Sequence, residues 1–166
     1  MAVVKSVKFD GEDIYVFKSA IYIFESSSGF TLEVDLIVTE VVLKRYRKED
    51  SLIVEIELED GRIINSIMHV TVLPGRLPQL HLFCELDDLK EYEGINIVNE
   101  HDSWFPAIEE GITLEEIRKV EMPDEAITLK LTLPIDQVEW LKNQKKKYLN
   151  EMFKEIIYNY WADTKK

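Results

Sequence analysis

Soft-ligand and proton-transfer chemistry in this chain rests on four side chains, His69, His81, His101 and Cys84, because there are only three histidines and one cysteine in the sequence. An imidazole titrates near neutral pH, and imidazole with thiolate is a common ligand set for zinc. His81 and Cys84 are three apart in a strand-patterned stretch, so their side chains leave opposite faces and do not chelate one ion. The sequence therefore predicts no transition metal and no cofactor. His101-Asp102 is a different case: a carboxylate beside an imidazole can orient its ring, and Trp104 and Phe105 follow closely. His101, Asp102 and Trp104 make the candidate polar or ligand site.

Acidic pairs are the other resource. Asp87-Asp88, Glu109-Glu110 and Glu115-Glu116 could hold a hard cation or divide hydrolytic roles between them. Glu115 and Glu116, however, fall in the first turn of a predicted helix, where negative charge suits the helix dipole without any ligand. No Asp-x-Asp-x-Asp-Gly loop accompanies the others, and none of the six glycines builds a GxGxxG or GxxxxGK phosphate cradle. Nucleotide-cofactor enzymes of the common kinds are thereby disfavoured. The formal net charge of -12 argues against a generic nucleic-acid or anionic-membrane surface, which needs clustered cations. Most of the imbalance lies between Glu85 and Glu125, where fourteen acidic residues face only Lys90, Arg118 and Lys119. Two basic clusters stand apart, residues 44–48 and residues 142–147. With Tyr46, Trp140 and Tyr148 nearby, they are where a nucleic acid would bind if any surface took one.

The elements that must position these groups are mostly strands in the first half. Phe30, Leu32, Val34, Leu36 and Val38 alternate with Thr31, Glu33, Asp35 and Thr39, with Ile37 the exception, and Leu52, Val54, Ile56 and Leu58 alternate with Ile53, Glu55, Glu57 and Glu59. Period two marks strands with one buried face. Val41, Val42 and Leu43 break the phase and predict a bulge or a strand buried on both sides. Residues 14–24, apolar at nearly every position, read as a central strand joined to Phe30 by the turn 26–29. Glu59-Asp60-Gly61 predicts a hairpin between 51–59 and 62–73. Its turn has either two residues, setting Glu59 opposite Arg62, or three, setting Leu58 opposite Arg62. A short strand at 79–84 leads into an acidic insertion, 85–125, with a helical turn near 87–92 and a strand near 95–98. One short helix there has a full set of start signals: Thr113 as N-cap, Glu116 closing the capping box, and Ile112 with Ile117 as hydrophobic staple. A last strand is predicted where Ile127, Leu129, Leu131 and Leu133 alternate with Thr128, Lys130 and Thr132.

Residues 136–162 read as one long C-terminal helix. Val138, Leu141, Tyr148, Leu149, Met152, Phe153, Ile156 and Tyr160 share one broad side, while Trp140 and Tyr158 lie roughly opposite. Asp136 is the expected N-cap, with Glu139 three residues on and Ile135 stapled to Trp140. Some 26 residues at 1.5 Å each span roughly 40 Å, more than a small domain's width of roughly 30 Å. The end beyond the lysine cluster is therefore expected to overhang, with Leu149, Met152, Phe153, Ile156, Tyr160 and Trp161 as an interface.

These readings combine into a single domain, 1–166, with a β-rich body at 1–133 and the terminal helix at 136–162. The fold class is α+β: an antiparallel, strongly twisted or barrel-like sheet with one short helix and a long C-terminal helix, or else a closed barrel or sandwich with that helix projecting. One cysteine, an N-terminal stretch unlike a signal peptide, and no apolar run near the roughly 20 residues of a membrane span predict a cytoplasmic protein. The function expected first is non-enzymatic protein interaction or regulation, as a homodimer formed through the C-terminal helix. One alternative is a small-ligand binder or enzyme with a sheet-lined pocket around a histidine. The other is a nucleic-acid or nucleoprotein-associated protein using the clusters 44–48 and 142–147.

Overall fold

The alternating residues of the first half form strands, and their common inward face defines the fold. In the computed structural model, which describes residues 2–166, β1 (Val4–Phe9), β2 (Glu12–Ile14), β3 (Lys18–Ser26), β4 (Gly29–Ile37), β5 (Ser51–Leu58), β6 (Ile63–Val72), β7 (Gln79–Leu86) and β8 (Ile97–Asn99) build one sheet. Its strand order is β2-β1-β5-β6-β7-β4-β3-β8. Every pairing is antiparallel except β3 with β8, which is parallel, so the sheet is mixed, and its two ends do not pair to close it. The fold is α+β. Phe9, Ile23, Leu32, Leu36, Ile56, Met68 and Leu82, from six strands, are all fully buried in one apolar cluster.

Turn chemistry fixes the registers. In the β5–β6 hairpin Leu58 N–H donates to Arg62 O (2.9 Å) and Gly61 N–H to Leu58 O (3.0 Å), so the loop has three residues and Leu58 stands opposite Arg62. Gly61 takes φ 89°, the left-handed conformation that a three-residue hairpin needs at its last position. The β1–β2 hairpin turns on Asp10-Gly11 with φ 49° and 85°.

Three expectations about strands are corrected. Val41, Val42 and Leu43 belong to helix α1 (Glu40–Tyr46), where Thr39 caps the first turn by accepting from Val42 N–H (3.2 Å). The phase change in the alternation was a helix start, and Val42 and Tyr46, four apart, are its buried stripe. Residues 14–24 are divided between β2 and β3, and β3 lies next to the edge strand β8. Its continuous apolar character reflects cover on both faces: Ile21 and Ile23 join the main cluster, while Ala20 packs on a second cluster of Ile37, Leu77, Ile108 and Ile117. Ile37, the exception in β4, is the residue that meets this second cluster. The third correction is at 127–133, which pairs with no strand; Ile127, Leu129 and Leu131 are exposed.

Helix α2 (Leu114–Val120) starts as the sequence predicts. Glu116 N–H donates to Thr113 Oγ1 (3.2 Å), Thr113 N–H donates to Glu116 Oε2 (2.8 Å), and Ile117 is fully buried. The C-terminal helix is not continuous. It is divided into α3 (Ile135–Lys142) and the longer α4 (Lys146–Thr164), with Asn143 and Lys145 at the break. Pro134, not Asp136, precedes the first helical residue, and Asp136 accepts from Gln137 N–H within the first turn. A proline there needs no partner for its missing N–H and fixes the entry φ, so it takes the start from the better side-chain cap.

The described residues group into two compact units, Met1–Asp124 and Glu125–Lys166. Every buried residue belongs to the first; neither α3 nor α4 contains one.

Candidate functional site

The polar half of β4 builds a buried group of titratable side chains. Thr31, Glu33 and Asp35 leave the sheet on the face away from the main core, and their cross-strand neighbours on that face are Tyr22 opposite Glu33 and His81 opposite Asp35. Asp35 is 4% exposed. Its Oδ1 accepts from His81 Nδ1 at 2.7 Å and its Oδ2 from the Tyr22 hydroxyl at 3.4 Å, while His81 Nε2 lies 3.6 Å from Glu33 Oε2. Burial alone would lower the His81 pKa, but the Asp35 hydrogen bond and the charges of Asp35 and Glu33 outweigh it and hold it above its ordinary value. Burial, together with the same two carboxylates, raises the Tyr22 phenol, which stays a neutral donor. The ring of Phe83 stacks on His81 at 5.7 Å and also meets the ring of His69, tilted at 5.2 Å.

Such a group can hold a proton at a fixed place, but both ring nitrogens of His81 already face carboxylates. The surface depressions lie along the gap between β1 and β3, beside the loop of Asp102 and Trp104, and beside α1; His81 and Asp35 line none of these. Cys84, on the same strand, points into the main core, as the three-residue separation requires. The arrangement is a structural pin between β3, β4 and β7. Its sequence signal was present in the Thr31-Glu33-Asp35 alternation. What was missing was the strand order that sets His81 opposite Asp35.

The sequence-predicted polar site is dispersed. Asp102 Oδ2 accepts from Asn99 N–H (2.8 Å), and Asn99 Oδ1 accepts from His101 N–H (3.1 Å), so both side chains hold the turn after β8. The His101 ring is 86% exposed and lies 3.6 Å from Glu100 Oε1, not on Asp102. Trp104, also exposed, borders shallow depressions with Asn96, Val98 and Ser103 on one side and with Ala20, Tyr22 and Pro106 on the other. Of the basic cluster 44–48, Arg45 is paired with Glu12 (2.7 Å) and lies over the Tyr46 ring.

The predicted interface residues remain uncovered. Leu149, Met152 and Phe153 are part-exposed, and Ile156, Tyr160 and Trp161 are exposed. Of the twenty-two exposed large hydrophobic residues among those described, eleven fall in the 42 residues of Glu125–Lys166, so that unit is far richer in uncovered apolar surface than the rest. Among the described residues no helix is long and apolar enough to cross a membrane.

A second uncovered feature belongs to the sheet. β1 pairs with β2 only through Val7, Lys8 and Phe9, and β3 pairs with β8 only through Ile23, Phe24 and Glu25. The remaining edges, Val4 to Ser6 and Lys18 to Tyr22, face one another across a gap that both strands line. Comparison with protein-family models, with curated proteins and with solved structures finds no match to this chain.

Proposed function

We propose that this is a protein-interaction protein, acting as a regulator or adaptor and not as an enzyme, and that it self-associates through the unit Glu125–Lys166. The observation that carries this reading is the absence of any buried side chain in α3 and α4, although Leu149, Met152, Phe153, Ile156 and Tyr160 repeat at the spacing of a helix made to be covered. The polar group around His81 supports the non-enzymatic part, because its acceptors and donors are already paired with one another and neither His81 nor Asp35 lines any of the described depressions. The cytoplasm is the compartment that fits a single cysteine kept in the core.

Sedimentation equilibrium at micromolar concentration tests the reading. A dimer or larger mass is expected, reduced by Phe153→Asp plus Ile156→Asp while the sheet signal in circular dichroism stays intact. A wild-type monomer with the same mass as the double variant would sink it.

A further inference from the structure

Resting on the self-association just proposed, we infer that the outward face of β5 and β6 is the surface on which helix α4 of a second copy of this chain docks. Ile53 stands directly opposite Ile67 in the β5–β6 ladder, and both side chains leave the sheet on the side away from the main core, as does Ile63 earlier in β6. Ile53, Ile67 and Ile63 are 60%, 68% and 58% exposed. Cross-strand pairing of β-branched side chains accounts for Ile53 with Ile67, whereas Ile63 stands opposite Glu57 and has no such partner. His69, the next outward residue of β6, sets its ring on Phe83 of β7 and carries the patch across a third strand.

The same face of the sheet is closed elsewhere. On β3 and β4, Ala20 and Ile37 pack with Ile108 and with Ile117 of α2, so a helix of the first unit lies on that side. Over β5 and β6 the isoleucines have no such layer. A sheet face left to water alternates to polar residues, and an apolar one is normally covered by a helix. The stripe of α4 has the size for this. From Leu149 to Tyr160 it runs about 17 Å at 1.5 Å per residue, while Ile63 to His69 runs about 20 Å along β6. Three strands are about 10 Å across, close to the diameter of a helix with its side chains, about 10 to 12 Å.

Charge points to tail-on-body docking between copies in preference to tail-on-tail pairing. The patch is bordered by carboxylates: Asp10 Oδ1 accepts from Ile53 N–H (3.0 Å), Glu55 is the next outward residue of β5, and Glu85 follows Phe83 on the outward side of β7. Lys145 and Lys146 stand at the start of α4, beside its stripe, and neither has an ion-pair partner among the described residues. Residues up to Asp124 have 26 acidic and 12 basic side chains, a net of -14, whereas Glu125–Lys166 have 6 acidic and 8 basic, a net of +2. Two tails repel weakly; a tail and a body attract. Reciprocal docking, each copy giving one helix and one sheet face, closes a twofold dimer.

The test measures association of the full chain by sedimentation, with sheet circular dichroism to check folding. Ile53→Thr plus Ile67→Lys, at two exposed positions, should weaken the wild-type dimer at least roughly 30-fold, the effect of removing an interface anchor. Lys145→Glu plus Lys146→Glu, on the tail and away from the sheet, should weaken it too, most strongly at low salt. Amine crosslinking of a dimer mixed from light and nitrogen-15 copies should join Lys8, which lies beside Glu55, to Lys146 of the other copy. A dimer indifferent to the Ile53 and Ile67 changes overturns this docking face and leaves self-association standing. A monomer in which Lys8 and Lys146 are joined within one copy shows the chain's own helix on the face and overturns the second copy. A monomer without that crosslink removes both this inference and the function it rests on.

Discussion

The two units of this protein obey the same sequence patterns and end in opposite states. In Met1–Asp124 the apolar residues at period two face a common interior, and Leu32, Val34, Leu36 and Leu82 are wholly buried there. In Glu125–Lys166 the pattern at 127–133 is as regular and the helical stripe of α4 as complete, yet no residue is buried. Pattern declares which face a segment would bury. Burial itself needs a partner, and strands find theirs through hydrogen-bonded neighbours whereas a lone segment has none. The proposed function takes the second unit, for this reason, as the part that meets a partner.

The sharpest way to break the comparison is to remove equal side chains from both units. Leu32→Ala, at a fully buried position in β4, should cost about 3 to 5 kcal/mol through lost transfer energy and the cavity left behind. In urea unfolding this is a large fall in midpoint at unchanged slope. A loss below about 1 kcal/mol would mean that the sheet does not hold its core as tightly as its burial implies.

How much was legible follows from how local each signal is. The capping box of α2, the Ser26 to Gly29 turn and the Glu59-Asp60-Gly61 hairpin depend on neighbours within four residues, and all three formed. Val41 to Leu43 misled because valine fits a strand by propensity, while one hydroxyl, that of Thr39, decides for helix. Asp10-Gly11 is a local signal of the same kind, an aspartate and a glycine at positive φ between two strands. The interaction of Asp35 with His81 is of another kind, since the two are 46 positions apart with two whole strands between them, and only the order β6-β7-β4-β3 brings them together. The candidate at His101, Asp102 and Trp104 was a neighbourhood in sequence whose side chains turned to different partners: a turn N–H for Asp102, solvent and Glu100 for His101. The parallel β3–β8 pairing follows from the excursion between β7 and β8, too irregular to read as a crossover.

The polar pin of the first unit sharpens the comparison at an intermediate size. Asp35→Ala leaves the half-buried His81 ring without its acceptor and takes one acceptor from the Tyr22 hydroxyl, at a cost of about 2 to 3 kcal/mol. The pH dependence has a defined sign. Since the folded-state pKa of His81 is raised, the native state binds the proton more tightly than the unfolded chain. The resulting stability is fully present below the unfolded value of about 6.5 and is lost as the pH rises through the folded value. Unfolding measured at several pH values across this window should show stability falling toward alkaline pH, with His81→Gln flattening that component. An unchanged slope in His81→Gln would remove His81 as its source.

The smallest effect is expected in the second unit. Ile157 on α4 is 53% exposed and stands where no buried residue surrounds it, so deleting its side chain forfeits little transfer energy and leaves no cavity. Ile157→Ala should change the unfolding free energy by no more than about 0.5 kcal/mol, the range of ordinary surface substitutions. Leu149→Ala, part-exposed on the predicted interface stripe, belongs in the same experiment as its control. Both are measured by urea unfolding followed through sheet circular dichroism, at a protein concentration low enough for the mass to be that of one chain. Contact between copies then contributes nothing, and the comparison concerns the isolated chain alone. At higher concentration only Leu149→Ala should lower the midpoint, because an associating stripe stabilises by mass action and a residue outside it does not. If Ile157→Ala instead cost as much as a core deletion under dilute conditions, α4 would be packed within its own chain, and the contrast between a filled and an unfilled unit would be wrong.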